Sequence, residues 1–209
     1  IPFGDKISLK SGVEWLSYFN EELSFESKGI GLESQHDATL NMMHEVSIFA
    51  DLEQNVTSWF NYSVGLRPSL WKNDKIFYGL SPRITVNFPI NSEHKLKAHY
   101  GIYQQALHKA GLTDGGLPTD YFFLATEQNK PIFSHSATIG YEGSILQNGY
   151  SFSLDIYFKQ LYNTIESTSN IFDLIYTGFN YEDGLIRGKG RNYGLNLMLN
   201  KNKGYVKGY

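Results

Sequence analysis

A two-residue alternation running from Tyr78 to Tyr103 constrains this chain more than any other feature. Leu80, Pro82, Ile84, Val86, Phe88 and Ile90 share one parity, and Ser81, Arg83, Thr85 and Asn87 the other. After the turn-rich stretch Asn91-Ser92-Glu93-His94-Lys95, Leu96, Ala98, Tyr100 and Ile102 alternate with Lys97, His99, Gly101 and Tyr103. Side chains repeat every two residues along a strand, so each segment has one apolar and one polar face. Such a hairpin belongs to an antiparallel sheet with one face in an apolar medium, either a protein core or a lipid bilayer.

The same alternation recurs over Ile7 to Tyr18, Glu45 to Glu53, Ser58 to Arg67, Ser136 to Ser144, Phe152 to Phe158 and Tyr193 to Leu199, with a further strand starting at Tyr205. The expectation is an all-β chain of about nine strands with almost no helix. Its connections alternate in length. Those of about Asn20 to His44, Ala106 to Phe133 and Thr164 to Leu185 are long, and Pro68 to Phe77 is medium. Those near Asn55, at Asn91 to Lys95, at Gln147-Asn148-Gly149 and at Asn200 to Gly204 are tight. Gly111, Gly115, Gly116, Pro118 and Pro131 argue against regular structure in the central long connection. In an up-and-down sheet every second connection lies at the same end. One end is therefore trimmed to turns while the other carries long loops, which is how outer-membrane barrels are built.

Composition closes off other classes. A net charge of −3 provides no basic field for nucleic acid. The absence of cysteine excludes a disulfide scaffold and a thiolate metal site. No apolar run approaches the ~18 residues of a membrane helix, but a barrel hides from that criterion because half of each strand is polar. The 15 Tyr and 14 Phe include Phe60, Phe88, Tyr100, Tyr141 and Tyr150, which with Trp15 and Trp59 lie near expected strand ends, where interfacial girdles sit. The chain begins Ile1-Pro2-Phe3-Gly4 and stops at what reads as mid-strand, so it is expected to be a segment of one larger barrel domain. Alone it should form an open sheet with bare edges.

Several stretches resemble the barrel of TonB-dependent outer-membrane receptors of the Bacteroidetes type: Val64-Gly65-Leu66-Arg67, Ser81-Pro82-Arg83-Ile84-Thr85-Val86, and His99-Tyr100-Gly101-Ile102-Tyr103-Gln104-Gln105. Leu117-Pro118-Thr119-Asp120, Asn129-Lys130-Pro131, Ile139-Gly140-Tyr141-Glu142, Asp155-Ile156-Tyr157-Phe158-Lys159 and Gly188-Lys189-Gly190-Arg191-Asn192-Tyr193-Gly194-Leu195 follow in the family's order. The resemblance spans about Val46 to Tyr209. Asn196 stands where the family often has Glu. It implies roughly nine of about 22 strands, in the bacterial outer membrane. The implied receptor takes up a siderophore, haem, cobalamin, glycan or peptide. The implied partners are outer-membrane lipid, the TonB energy-coupling protein acting through a plug, and a surface lipoprotein.

The chemistry expected of such a chain is binding rather than catalysis, with no cofactor or resident metal. No nucleophile elbow or triad is visible. His36, His108, Asp114, Asp120, Glu127 and Asp173 fall in the long connections and are the candidate ligand contacts. Glu14, Arg83, Lys97, Asp155, Lys159 and Arg187 are expected on the polar, lumen-facing side, where they would line a wet channel or pair with a plug. Two other readings share the alternation: a passive porin or other outer-membrane barrel, and a soluble β-sandwich binding module. In the sandwich, the apolar face would be buried between two sheets.

Overall fold

Alternation of this kind becomes a sheet only when neighbouring strands pair in register, and here they do so over long ladders. The computed structural model describes residues 6–21, 26–29, 32–35, 40–112, 119–145, 149–168, 184–204 and 207–208. Its strands are β1 (Ile7–Glu21), β2 (Glu26–Gly29), β3 (Leu32–Gln35), β4 (Leu40–Thr57), β5 (Phe60–Lys72), β6 (Ile76–Pro89), β7 (His94–Gln105), β8 (Leu107–Leu112), β9 (Thr119–Leu124), β10 (Ile132–Ile145), β11 (Tyr150–Ser167) and β12 (Leu185–Lys201). Eight of them form one antiparallel sheet in the order β1-β4-β5-β6-β7-β10-β11-β12, and β2–β3 and β8–β9 are separate hairpins. Each long strand pairs with its neighbour in the meander. Among the described residues β1 and β12 each have one partner, so the sheet is open, as expected.

The register fixes two faces. Ile84 lies opposite Tyr100, Val86 opposite Ala98, Phe88 opposite Leu96, and Ile139 opposite both Ala98 and Ile156, with Leu154 beside Tyr141 and Phe152 beside Gly143. Ile84, Leu96, Tyr100 and Ile156 are exposed, while Val86, Phe88, Ala98, Phe152 and Leu154 are half-buried among their neighbours. Among the described residues no second sheet covers this face. Tyr78, Tyr193 and Leu197 are 77%, 78% and 71% exposed. So large an apolar surface in one patch is untenable in water and normal against lipid.

Strands outrun the alternation, chiefly at the loop end. The connection expected over Pro68 to Phe77 is only Asn73–Lys75, because β5 continues to Lys72 and β6 starts at Ile76. The turn expected near Asn55 lies at Ser58–Trp59, and the third long connection starts after β11 ends at Ser167. Pattern fails there because strands that rise beyond a bilayer are wet on both faces, while the backbone ladder continues. Pro68 adds to this: it has no N–H, and the β4–β5 ladder lacks its pair opposite Ile48. Likewise the β6–β7 ladder stops at Arg83 opposite Gly101, one residue short of Pro82. Of the expected ninth strand only Lys207 and Gly208 are described, with Gly208 bridging back to Lys201.

The central connection departs most from expectation. Regular structure does persist there as the hairpin β8–β9, paired from Leu107–Leu124 to Leu112–Thr119. Gly111 is accommodated within β8, opposite Asp120, and Pro131 lies just before β10. Ala106, Leu124 and Ala125 pack with Met43 and Trp71, with Tyr18 and Phe77 alongside, while Ala110 and Phe123 pack with Leu185 and Ile165. Met43 and Trp71 belong to the polar-face parity, so the hairpin meets β4 and β5 on that face, whereas Leu185 and Ile165 fall by register on the parity of Tyr193. The hairpin buries the driest cluster of the described chain.

Candidate functional site

The site is the polar face together with the hairpin across its loop end. Three ionic groups occupy the face. The first lies beneath the hairpin, where Arg67 Nη2 donates to Glu14 Oε2 (2.6 Å), Glu45 Oε1 (3.1 Å) and Ser47 Oγ (3.3 Å). Glu45 also accepts from Tyr18 Oη (2.7 Å) and Ser47 Oγ (2.9 Å), and Ser47 bonds Ser69 at 2.8 Å. Glu45 and Ser47 are buried. A carboxylate survives there because every approach to it carries a donor.

The other two groups each reach across an intervening strand. Arg83 on β6 grips Asp51 on β4 in a two-pronged pair, Nε to Oδ1 at 2.8 Å and Nη2 to Oδ2 at 2.6 Å. Between them in register is Gly65 of β5, opposite Asp51 on one side and Arg83 on the other. A Cβ on Gly65 would lie 2.6 Å from Arg83 Nε and overlap the Asp51 carboxylate. Lys97 on β7 contacts Glu142 at 2.6 Å and Asp155 on β11 at 3.1 Å, the latter across Gly140 of β10, whose missing side chain leaves the gap. Lys95 closes this group on Glu142 at 2.7 Å. The two glycines are windows through which ion pairs span three strands.

A recess of about 720 Å³ opens at the turn end of this face, lined by Lys95, Lys97, Glu142, Ser153, Asp155 and Asn200 among others. Between the second and third ionic groups, His99 bonds Thr85 Oγ1 (2.9 Å) and Tyr103 Oη (2.7 Å). The surface is wet, of mixed sign and rich in paired hydrogen-bonding groups. That suits hydrated cargo or a polar protein surface.

The expected residues divide clearly. Glu14, Arg83, Lys97, Asp155 and Lys159 share the polar face, Lys159 lying opposite Ser136 and Asn192. Arg187 lies above a bulge at Asn163 (φ 55°), opposite Ile165. Counted along β12 it falls with Tyr193, not with Asn192. Its Nε donates to Asn129 Oδ1 at 3.0 Å, holding the 126–131 segment. Glu127 is exposed and pairs loosely with Lys75 at 3.1 Å. Asp120 lies opposite Gly111 in the hairpin. His36, Asp114 and Asp173 lie outside the described residues.

His108 was expected as a loop contact for ligand, and the structure removes it from the surface. It is completely buried, stacked on Phe123 with ring centroids 5.0 Å apart, and neither ring nitrogen has a hydrogen-bond partner of good geometry. Burial pushes its pKa down to about 4, opposed weakly by the backbone of Asn129 and Lys130. It is a neutral packing residue of the hairpin. Sequence reasoning missed Asp51, Glu142, Arg67 and Glu45 as members of the ionic groups. The signal was their parity together with Gly65 and Gly140, but it needed the register to be read.

No protein-family model matches the chain, and no curated protein does. Solved structures do. The FrpB iron transporter of Neisseria meningitidis superimposes with a TM-score of 0.66 at 11% identity, over 97% of this chain and 32% of that one. A variant of the ferric enterobactin receptor PfeA of Pseudomonas aeruginosa gives 0.62 at 19% identity, over 95% and 31%. The RagAB peptide transporter gives 0.59 at 14%, over 96% and 26%. The fold is that of part of the β-barrel of these transporters and receptors. The chain spans about a third of the length of the first two structures. In this barrel fold the strands cross the bilayer, so the apolar face is the lipid side and the polar face the lumen side.

Proposed function

We propose that this chain is wall and mouth of an outer-membrane receptor that imports a nutrient ligand through a plugged barrel energised by TonB, all 209 residues belonging to one barrel domain. The observation that carries the reading is an open meander with a bare apolar face and an ion-paired polar face, superimposing almost end to end on receptors of this fold. The paired lumen residues are suited to meet a plug and water, since each ion is already balanced by the wall. Selectivity would reside in the long connections and in the β8–β9 hairpin, with Glu127, Asp120, Asp114, His36 and Asp173 as candidate contacts. His108 would act through the hairpin's packing. The similar structures are an iron transporter, a ferric enterobactin receptor and a peptide transporter, so ferric chelates and peptides head the panel of cargoes to try. No bond is broken in such a cycle. A surface lipoprotein would be a further partner.

The test uses the full-length protein that contains this chain. It should fractionate with the outer membrane. Cells should take up at least one of a ferric siderophore, haem, cobalamin, glycan or peptide in a way that requires both the protein and TonB. Recovery in the soluble fraction would sink the barrel reading. Uptake that needs the protein but not TonB would make it a passive pore.

A further inference from the structure

The lipid side of β12 changes character abruptly. Leu199, Leu197, Leu195 and Tyr193 point to it at every second position, and then come Arg191 and Lys189. Both cations sit where lipid contact should end. From Phe88 to Tyr78, ten residues of β6, the apolar row rises roughly 25 Å at ~3.3 Å per residue on a strand tilted ~40°. Lys189 is ten residues from Leu199, at the outer limit of the same span.

The neighbours on that side are built around the cations and do not neutralise them. Arg191 Nε donates to Gln160 Oε1 at 2.9 Å, which orients the guanidinium along the wall. Lys189 Nζ stands 5.5 Å from the centroid of the Tyr162 ring. His135 lies across from Gln160, with Nδ1 2.7 Å from Tyr100 Oη. Among the described residues no carboxylate shares this side of β7, β10, β11 or β12 below the bulge at Asn163, and neither Lys189 nor Arg191 makes an ion pair. On the polar face, by contrast, Arg67, Arg83, Lys95 and Lys97 are each paired within the protein. Uncompensated cations at the rim of a lipid-facing band need anions from outside, and the anions at that height are headgroup phosphates. A guanidinium and an ammonium over an aromatic ring make a phosphate cradle.

We propose that Lys189 and Arg191, supported by Gln160, Tyr162 and His135, bind the phosphorylated headgroup of an outer-leaflet lipid on the outside of the barrel. This rests on the barrel reading and adds a lipid site to it, distinct from the cargo path.

The experiment takes the full-length protein in detergent and measures binding of bis-phosphorylated lipid A and of its dephosphorylated form by native mass spectrometry. At ~1 kcal/mol per cation, about 5-fold in affinity, wild type should prefer the phosphorylated lipid by roughly 25-fold. The double variant Lys189→Gln/Arg191→Gln should lose that preference, and the charge-keeping Lys189→Arg/Arg191→Lys should retain it within a few-fold. Equal binding of both lipids by wild type, or an unchanged preference in the glutamine variant, overturns the proposal while the barrel reading stands. A wild-type protein absent from the outer-membrane fraction removes both.

Discussion

On the apolar face, contacts run mainly between adjacent strands, with His94 and Phe152 meeting at 6.3 Å across Gly143 as the exception. Phe60 lies against Phe88 with centroids 5.2 Å apart, Phe133 stacks on Tyr162 at 4.6 Å, and Tyr141 packs with His94 and Phe152. On the polar face, contacts skip strands, with Arg83 reaching Asp51 over Gly65 and Lys97 reaching Asp155 over Gly140. The difference follows from the medium. Lipid contributes a continuous apolar partner, so that face needs little long-range organisation, and its strand-skipping contact is one of rings and not of ions. The lumen contributes water, which competes for every ion, so pairs hold only where geometry is fixed on several strands at once.

Exchanging the rules of the two faces should give the largest effect. Ile84→Arg or Ile156→Arg on the lipid side should cost ~2–4 kcal/mol in folding into lipid vesicles, whereas Ser153→Arg on the lumen side should cost little. Heat-modifiable mobility of the full barrel after vesicle folding would measure both, and equal losses would mean the faces are wrongly assigned.

The dry patch on the otherwise wet face comes next. His108 titrates near 6.5 when unfolded and at about 4 in the packed hairpin. The open form therefore binds more protons between those values, and hairpin stability falls as pH drops from about 6.5 to 4, then levels off. The loss should be of order 2–3 kcal/mol, read as faster amide exchange in β8 and β9 on acidification. His108→Phe should abolish the pH dependence. If exchange in the wild type stays flat over that range, the histidine is not held neutral by burial.

The glycine windows should give the smallest effects and the cleanest contrast. Gly65→Ala or Gly140→Ala drives a methyl into an ion pair and should cost about 1.5–3 kcal/mol in the urea midpoint of the full barrel. Gly190→Ala, whose new Cβ meets nothing nearer than Leu161 Cδ1 at 3.4 Å, should be neutral or slightly stabilising. Equal effects at Gly65 and Gly190 would mean that the strand-skipping pairs contribute nothing.

Much of this architecture was legible beforehand. The face of every residue from Ile84 to Ile156 in the expected lipid set, the open edges and the end that carries the long connections all follow from alternation and loop length. Both are local quantities that survive without knowing what pairs with what. Strand ends were not legible at Lys72, Ile76 and Ser167, because alternation fades where both faces are wet. Pro68 looked like a boundary while Pro82 fell within an expected strand, and both proved to be gaps in ladders that the rest of the strand could bear.

By itself the sequence determined which medium each side chain of a strand would face, since a period of two leaves only two choices. Only the tertiary structure decided which residues meet. Asp51 and Arg83 are 32 positions apart, and their pairing depends on two ladder registers and on a glycine falling between them. His108 shows the same limit. Whether a histidine in a glycine-rich connection faces water or Phe123 depends on a hairpin docking against Met43 and Trp71. Those residues come from strands some 40 to 60 positions earlier in the chain, and no local pattern encodes that packing.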